Sequence, residues 1–147
     1  LSSDRPWAID RLGQQRIEEG AYIWRDLLDA GVMVASGTDA PVEPVDPIAN
    51  FYSAVTRKTL KGVPETGFEP AQKLSRMEAL HAMTLAAAFA GFEEQDKGSI
   101  EVGKLADLTV LDQDLTTIPE AEILNSEVLL TIVGGEVVYQ RDETANP

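Results

Sequence analysis

Val32-Met33-Val34-Ala35-Ser36-Gly37-Thr38-Asp39-Ala40-Pro41 is the stretch that decides how this chain is read. Its first half, Val32 to Ser36, is short, β-branched and uncharged, which is the pattern of a buried parallel strand. Gly37 lets the backbone turn, and Asp39 emerges just past the C-terminal end of that strand. In α/β sheets and barrels this end is where binding and catalytic side chains collect. Asp39 is therefore the first candidate for chemistry.

Upstream, Leu1 to Gly13 reads as loop leading into a helix start. Gln14 to Ala30 reads as one helix, because Ile17, Ala21, Trp24 and Leu28 share a face. Gly31 is a natural stop for it. A helix, a glycine turn and a buried strand make half of a βα repeat and predict a parallel sheet. Downstream, Pro41, Pro44 and Pro47 stiffen a loop. Asp46-Pro47 then opens a helix through Phe51 and Val55, with Asp46 as N-cap. Lys61 to Lys73 reads as an exposed loop. Ser75-Arg76-Met77-Glu78 is a capping box, and its helix is expected to run to Gly91 with Met77, Leu80, Thr84, Ala87 and Ala88 on one face.

The texture changes at Gly98. Gly98 to Gly103 alternates, Leu105 to Leu111 is strand-like, and Pro119 to Leu124 suits one helical turn. Val128 to Val133, Gly134-Gly135 and Glu136 to Tyr139 form a hairpin signal. Arg141 to Pro147 is expected to fray. The organisation expected is an α/β part over residues 1–97 and a β-rich part over 98–147.

Composition narrows the function. A hydrophobic share of 44% over 147 residues suffices for a core. The formal charge of −13 argues against nucleic acid or anionic membrane as partner, since both require clustered Lys and Arg. Without cysteine and with one histidine, His81, metal chemistry would lean on carboxylates. The sequence opens on Leu1, so processing or a boundary precedes it. It contains no run of about 18 apolar residues and no signal-peptide pattern, and a cytoplasmic protein is expected.

Two stretches carry a resemblance. Ser36-Gly37-Thr38-Asp39-Ala40-Pro41-Val42, with Asp46-Pro47 after it, resembles the segment that closes the (β/α)8 barrel of the amidohydrolase superfamily, most nearly its family 3 branch. Gly98 to Asp112 resembles the run leaving that barrel for the small β-domain, and Thr131 to Tyr139 resembles the strands that complete it. Arg11-Leu12-Gly13 and Ala21 to Arg25 also resemble the branch's helix before the last barrel strand. The resemblance implies an α/β fold: the last βα units of a TIM-type barrel over 1–97, and C-terminal strands of a small β-sandwich domain over 98–147.

It further implies hydrolysis of an amide or cyclic amide C–N bond by metal-activated water, with a divalent metal, zinc by expectation. Asp39 maps onto the aspartate that contacts the metal and handles protons. The family's remaining ligands, a His-x-His pair, a bridging lysine or carboxylate and two further histidines, have no counterpart here. The isolated chain is expected to be catalytically silent. The implied partners are a small-molecule substrate and either the missing part of the same enzyme or a second copy. The contrasting reading is a non-catalytic α/β module that binds a protein partner, since an orphaned barrel segment exposes apolar faces and strand edges.

Each candidate has a plainer alternative. Asp39 can serve as a turn carboxylate bonding its own loop. His81, mid-helix beside alanines, reads as structural rather than ligating. Arg57 can line a pocket or bind an anion, but a surface or barrel-rim salt bridge is the preferred reading. Trp24 belongs to the apolar stripe and reads as core.

Overall fold

The computed structural model describes residues 1 and 3–142. Helices α1 (Arg5–Leu12), α2 (Gln14–Gly20) and α3 (Trp24–Asp29) precede an irregular segment, Val32 to Thr38, that leads into a turn at Asp39. Then come α4 (Pro47–Thr56), a 3-10 turn (Pro70–Gln72), α5 (Arg76–Met83) and α6 (Leu85–Ala90). Strands β1 (Leu108–Leu111), β2 (Val128–Val133) and β3 (Glu136–Gln140) follow, with a 3-10 stretch (Glu120–Asn125) before β2. Among the described residues no helix is long and apolar enough to cross a membrane.

The punctuation residues act as their chemistry dictates. The Asp46 carboxylate accepts the Ala49 N–H at 3.0 Å and Pro47 fills the first turn, so α4 starts there. In the capping box, Ser75 Oγ accepts from Glu78 N at 3.3 Å and Glu78 Oε2 accepts from Ser75 N at 2.7 Å. The hairpin forms on its glycine pair, with β2 antiparallel to β3 and also to β1, in the order β1-β2-β3.

Four expectations differ from the structure. The single helix over 14–30 is two, because Tyr22 takes φ 58° and points its carbonyl away from the helix to accept from Arg57 Nη1 at 2.9 Å. The new start at α3 is capped from outside: Gln72 Oε1 accepts from Arg25 N at 2.9 Å. The helix from Ser75 also breaks, at Thr84 (φ −119°, ψ −91°), whose hydroxyl donates back to Leu80 O at 2.7 Å. Its buried face is Ala79, Ala82, Ala86 and Ala88, while Met77 is exposed. At Ala88 close approach explains the choice: a Cβ on Gly98 would sit 2.8 Å from Ala88 Cβ and 2.9 Å from Leu85 Cα. Gly98 to Gly103, whose residues alternate in sequence, forms bends and a turn, and Ile100 and Val102 are exposed.

The fourth difference matters most. Val32 to Ser36 is irregular and unpaired, so the parallel sheet predicted from it is absent among the described residues, where the one sheet is antiparallel. A parallel strand needs a ladder on its edges. Among the described residues the backbone of the segment is hydrogen-bonded at its ends, by Val32 N to Leu27 O and Ser36 N to Ala82 O, both 2.9 Å. Val32 and Met33, read as buried, are nearly half exposed.

The core gathers Phe51, Tyr52 and Ala54 of α4, Leu74, Ala79 of α5, and Leu115 and Ile123 from the β-rich part. Leu115 and Ile123 thus pack in the same cluster as the helices, and Trp24 and Leu28 lie against it. Arg141, expected to fray, donates its N–H to Leu129 O at 2.9 Å. Residues 143–147 of the expected frayed end lie outside the described residues.

Candidate functional site

Asp39 sits where this segment turns toward α4. Its backbone takes φ 54°, and its carbonyl accepts from Val42 N at 2.8 Å, closing the turn. Aspartate tolerates the left-handed region better than most side chains because its short polar arm bonds locally. The carboxylate is exposed and borders a cleft of about 290 Å³ between this segment and α4. Two tethers fix the approach to it. Asn50 Nδ2 donates to Ser36 Oγ at 3.1 Å, tying the segment to α4, and the Ser36–Ala82 backbone bond ties it to α5. Trp24 forms part of the cleft wall while also packing on the core, so its role is wider than core alone.

Arg57 is not a surface residue. It is fully buried, holds φ 57° at the end of α4, and spends its guanidinium on fixed partners. Nε donates to Phe68 O at 2.6 Å, Nη1 to Tyr22 O at 2.9 Å and Nη2 to Glu69 Oε2 at 3.4 Å. Its cation lies over the Trp24 ring, 4.8 Å from the centroid. Glu69 is shared: Arg5 Nε donates to both of its oxygens at 3.0 Å, and Arg5 Nη2 also pairs with it. The bond from Arg5 holds the Glu69 carboxyl below its ordinary range, whereas burial lowers the Arg57 pKa against the pull of Glu69. This network sets the wall on which Trp24 rests. An arginine at the end of an apolar helix calls for a counter-ion, but nothing in sequence spacing points to residues 5 and 69.

The same residues test a metal. Among the described residues there is no group of three or more His, Cys, Asp or Glu side chains placed to hold an ion. His81 is exposed on α5 and is not among the residues bordering the Asp39 cleft. A lone carboxylate does not hold a divalent metal against water, so these residues by themselves do not fit a metal centre.

The arrangement is thus an unpaired segment leading to a carboxylate, tethered to α4 and α5 and followed by a small antiparallel sheet. Residues 1–139 match the amidohydrolase family, and the chain belongs to it. It is 36% identical to YtcJ of Bacillus subtilis over 141 residues, 96% of this chain and 26% of YtcJ. It is 38% identical to the N-substituted formamide deformylase of Arthrobacter pascens over 117 residues, 80% of this chain and 21% of that enzyme. In structure it resembles an uncharacterized metal-dependent hydrolase from Pyrococcus horikoshii, with TM-score 0.65 and 30% identity over 78% of this chain and 23% of that one. The chain thus spans about a quarter or less of the length of the relatives it matches.

Proposed function

We propose that these residues are the C-terminal portion of a metal-dependent hydrolase acting on C–N bonds of small molecules. Residues 1–97 would be the last βα units of its barrel, and 98–147 would be strands of its β-domain. The observation that carries the reading is Asp39: an exposed carboxylate, held by two tethers at the end of an irregular segment and bordering a cleft. The family match and the deformylase among its relatives support the reaction class.

In this reading Asp39 is both metal ligand and general acid/base. It would supply one oxygen donor to a divalent ion, zinc by preference, whose other ligands would come from residues outside these 147. Its own chemistry is proton transfer, for which a positioned and solvent-reached carboxylate is suited. The Val32–Ser36 segment would join a parallel ladder when the remaining strands are present. Exposed Val32 and Met33 on that segment, and Val137, Val138 and Tyr139 on edge strand β3, favour burial by more polypeptide: the rest of the enzyme or a second copy.

The test is Asp39→Asn in the full-length enzyme loaded with zinc, assayed on N-substituted formamides. Hydrolysis is expected to fall by about 10²-fold or more with the fold intact. Retained turnover would end the assignment. The 147-residue chain alone is expected to be inactive and to bind zinc weakly; tight zinc binding by it would contradict the reading. The same exposed apolar surface also suits a non-catalytic module that binds a protein partner. Asp39→Ala separates the two: lost assembly in a protein without hydrolytic activity would favour the module.

A further inference from the structure

Asparagine is a poor choice inside a helix, because its short amide competes with the backbone for hydrogen bonds. Asn50 nevertheless stands where the first backbone bond of α4 closes, from Asn50 N to Asp46 O at 3.1 Å. The start of that helix is already capped by Asp46, so Asn50 is not needed there. Its Nδ2 donates away from the helix instead, to Ser36 Oγ at 3.1 Å. Among the described residues this is the one side-chain hydrogen bond to any of residues 32–39.

Ser36 is gripped from a second side. Helix α5 ends at Met83, which leaves Ala82 O among its final carbonyls, and that oxygen accepts from Ser36 N at 2.9 Å. Both helices are anchored in the core, α4 through Phe51, Tyr52 and Ala54 and α5 through Ala79. One bond would leave Ser36 free to pivot about it; a second bond to a different helix removes that freedom. Gly37 follows immediately, and glycine permits more backbone conformations than any other residue. The direction of the chain is therefore set at Ser36 or not at all. Beyond Gly37 and Thr38, Asp39 is exposed, so its carboxylate is placed by the backbone that carries it rather than by packing. That backbone is closed on its far side by the bond from Val42 N to Asp39 O at 2.8 Å.

Resting on the hydrolase reading, we propose that Asn50 is a positioning residue for Asp39, its amide fixing Ser36 and thereby the point from which the carboxylate reaches out. Strand pairing with further polypeptide engages backbone N–H and C=O groups, so the side-chain bond between Asn50 and Ser36 is compatible with it.

The test uses the full-length, zinc-loaded enzyme and two readouts. In N50A, hydrogen exchange of the peptide covering residues 36–42 is expected to quicken about tenfold, with the later turns of α4 unchanged. On N-substituted formamides, kcat is expected to fall about tenfold or more with KM altered less than about twofold. S36A removes the acceptor from the other side and should reproduce both effects, which also covers a failure of N50A to fold. The double variant N50A/S36A should be no slower than either single one. In the D39N background N50A should cost nothing further, because Asn50 acts through Asp39. Unchanged exchange in both single variants, faster exchange with unaltered kcat, or an undiminished loss in the D39N background would each overturn the proposal. D39N keeps the two readings apart. Turnover retained in D39N ends the role of Asp39 itself, whereas turnover lost in D39N but kept in N50A and S36A ends only the positioning role.

Discussion

Replacing Arg57 with methionine isolates what the buried guanidinium contributes. Methionine fills much of the same volume and keeps the backbone demand, since φ is 57° for either side chain. Two carbonyl acceptors, Phe68 O at 2.6 Å and Tyr22 O at 2.9 Å, lose their donor inside the protein. An acceptor left without a partner costs about 1–3 kcal/mol, and loss of the cation over Trp24 about 0.5–2 kcal/mol more. Glu69 keeps Arg5, so its carboxylate is not stranded. Against these losses stands the burial of a charge that no longer has to be desolvated. The two stranded acceptors and the lost cation–π contact, less the desolvation that is relieved, set the expected destabilisation at about 3–5 kcal/mol. Urea unfolding of the full-length protein, followed by circular dichroism, reads it as a lower midpoint with an unchanged slope. Arg57→Lys should fall between, because an ammonium keeps the charge but cannot span three acceptors. A loss below about 1 kcal/mol for Arg57→Met would refute the reasoning and place the stability of this region elsewhere.

Other consequences are smaller. Gly98→Ala should destabilise by several kcal/mol, because φ is +93° and its Cβ would meet Ala88 and the Leu85 backbone; thermal unfolding reads this. Gly103→Ala, with φ +99° and nothing within 4 Å, is the control and should cost only about 1 kcal/mol of backbone strain. Asn50→Ala removes the tether to Ser36 and should cost about 0.5–1.5 kcal/mol, with a larger effect on hydrolysis than on unfolding if position matters at Asp39. Glu78, paired with Arg25 and bonded to Ser75, has its pKa lowered from 4.5 to about 2. A depressed carboxyl stabilises the fold above its unfolded value and loses that contribution as pH falls from about 4.5 through about 2. Partial exposure screens the pair to below about 1 kcal/mol, and Glu78→Gln should flatten this part of the acid-unfolding curve.

Local chemistry was legible where it is local. Asp46-Pro47, the Ser75/Glu78 box and the Gly134-Gly135 hairpin involve atoms within a few residues, and each formed as its sequence implies. Breaks were harder to see. Tyr22 and Thr84 interrupt continuous apolar patterns, and the cause at Tyr22 is a bond from Arg57, 35 residues away. Periodicity placed Leu80 and Ala88 of this region correctly against the protein but missed exposed Met77 and buried Ala79, Ala82 and Ala86; on α6 it is the close approach of Gly98 to Ala88 and Leu85 that favours alanine. Asp39 was legible as a candidate from the strand-turn-carboxylate pattern. Its tethers, Asn50 and Ala82, were not, since contacts between segments leave no periodic trace. The strand reading of Val32 to Ser36 describes a propensity, and a ladder partner is what converts propensity into a strand.

Glu69 joins Arg5 and Arg57 through a single carboxylate, linking the first helix, the end of α4 and the loop after it. This has a consequence for how the sequence can change over time. Loss of Glu69 leaves two arginines facing each other at close range, while loss of either arginine leaves the other to compensate the acid alone. Neutral drift at any one of these positions is therefore blocked unless another changes with it. Homologous sequences should show residues 5, 57 and 69 retained or exchanged as a set, a heritable unit drawn from three distant parts of the gene.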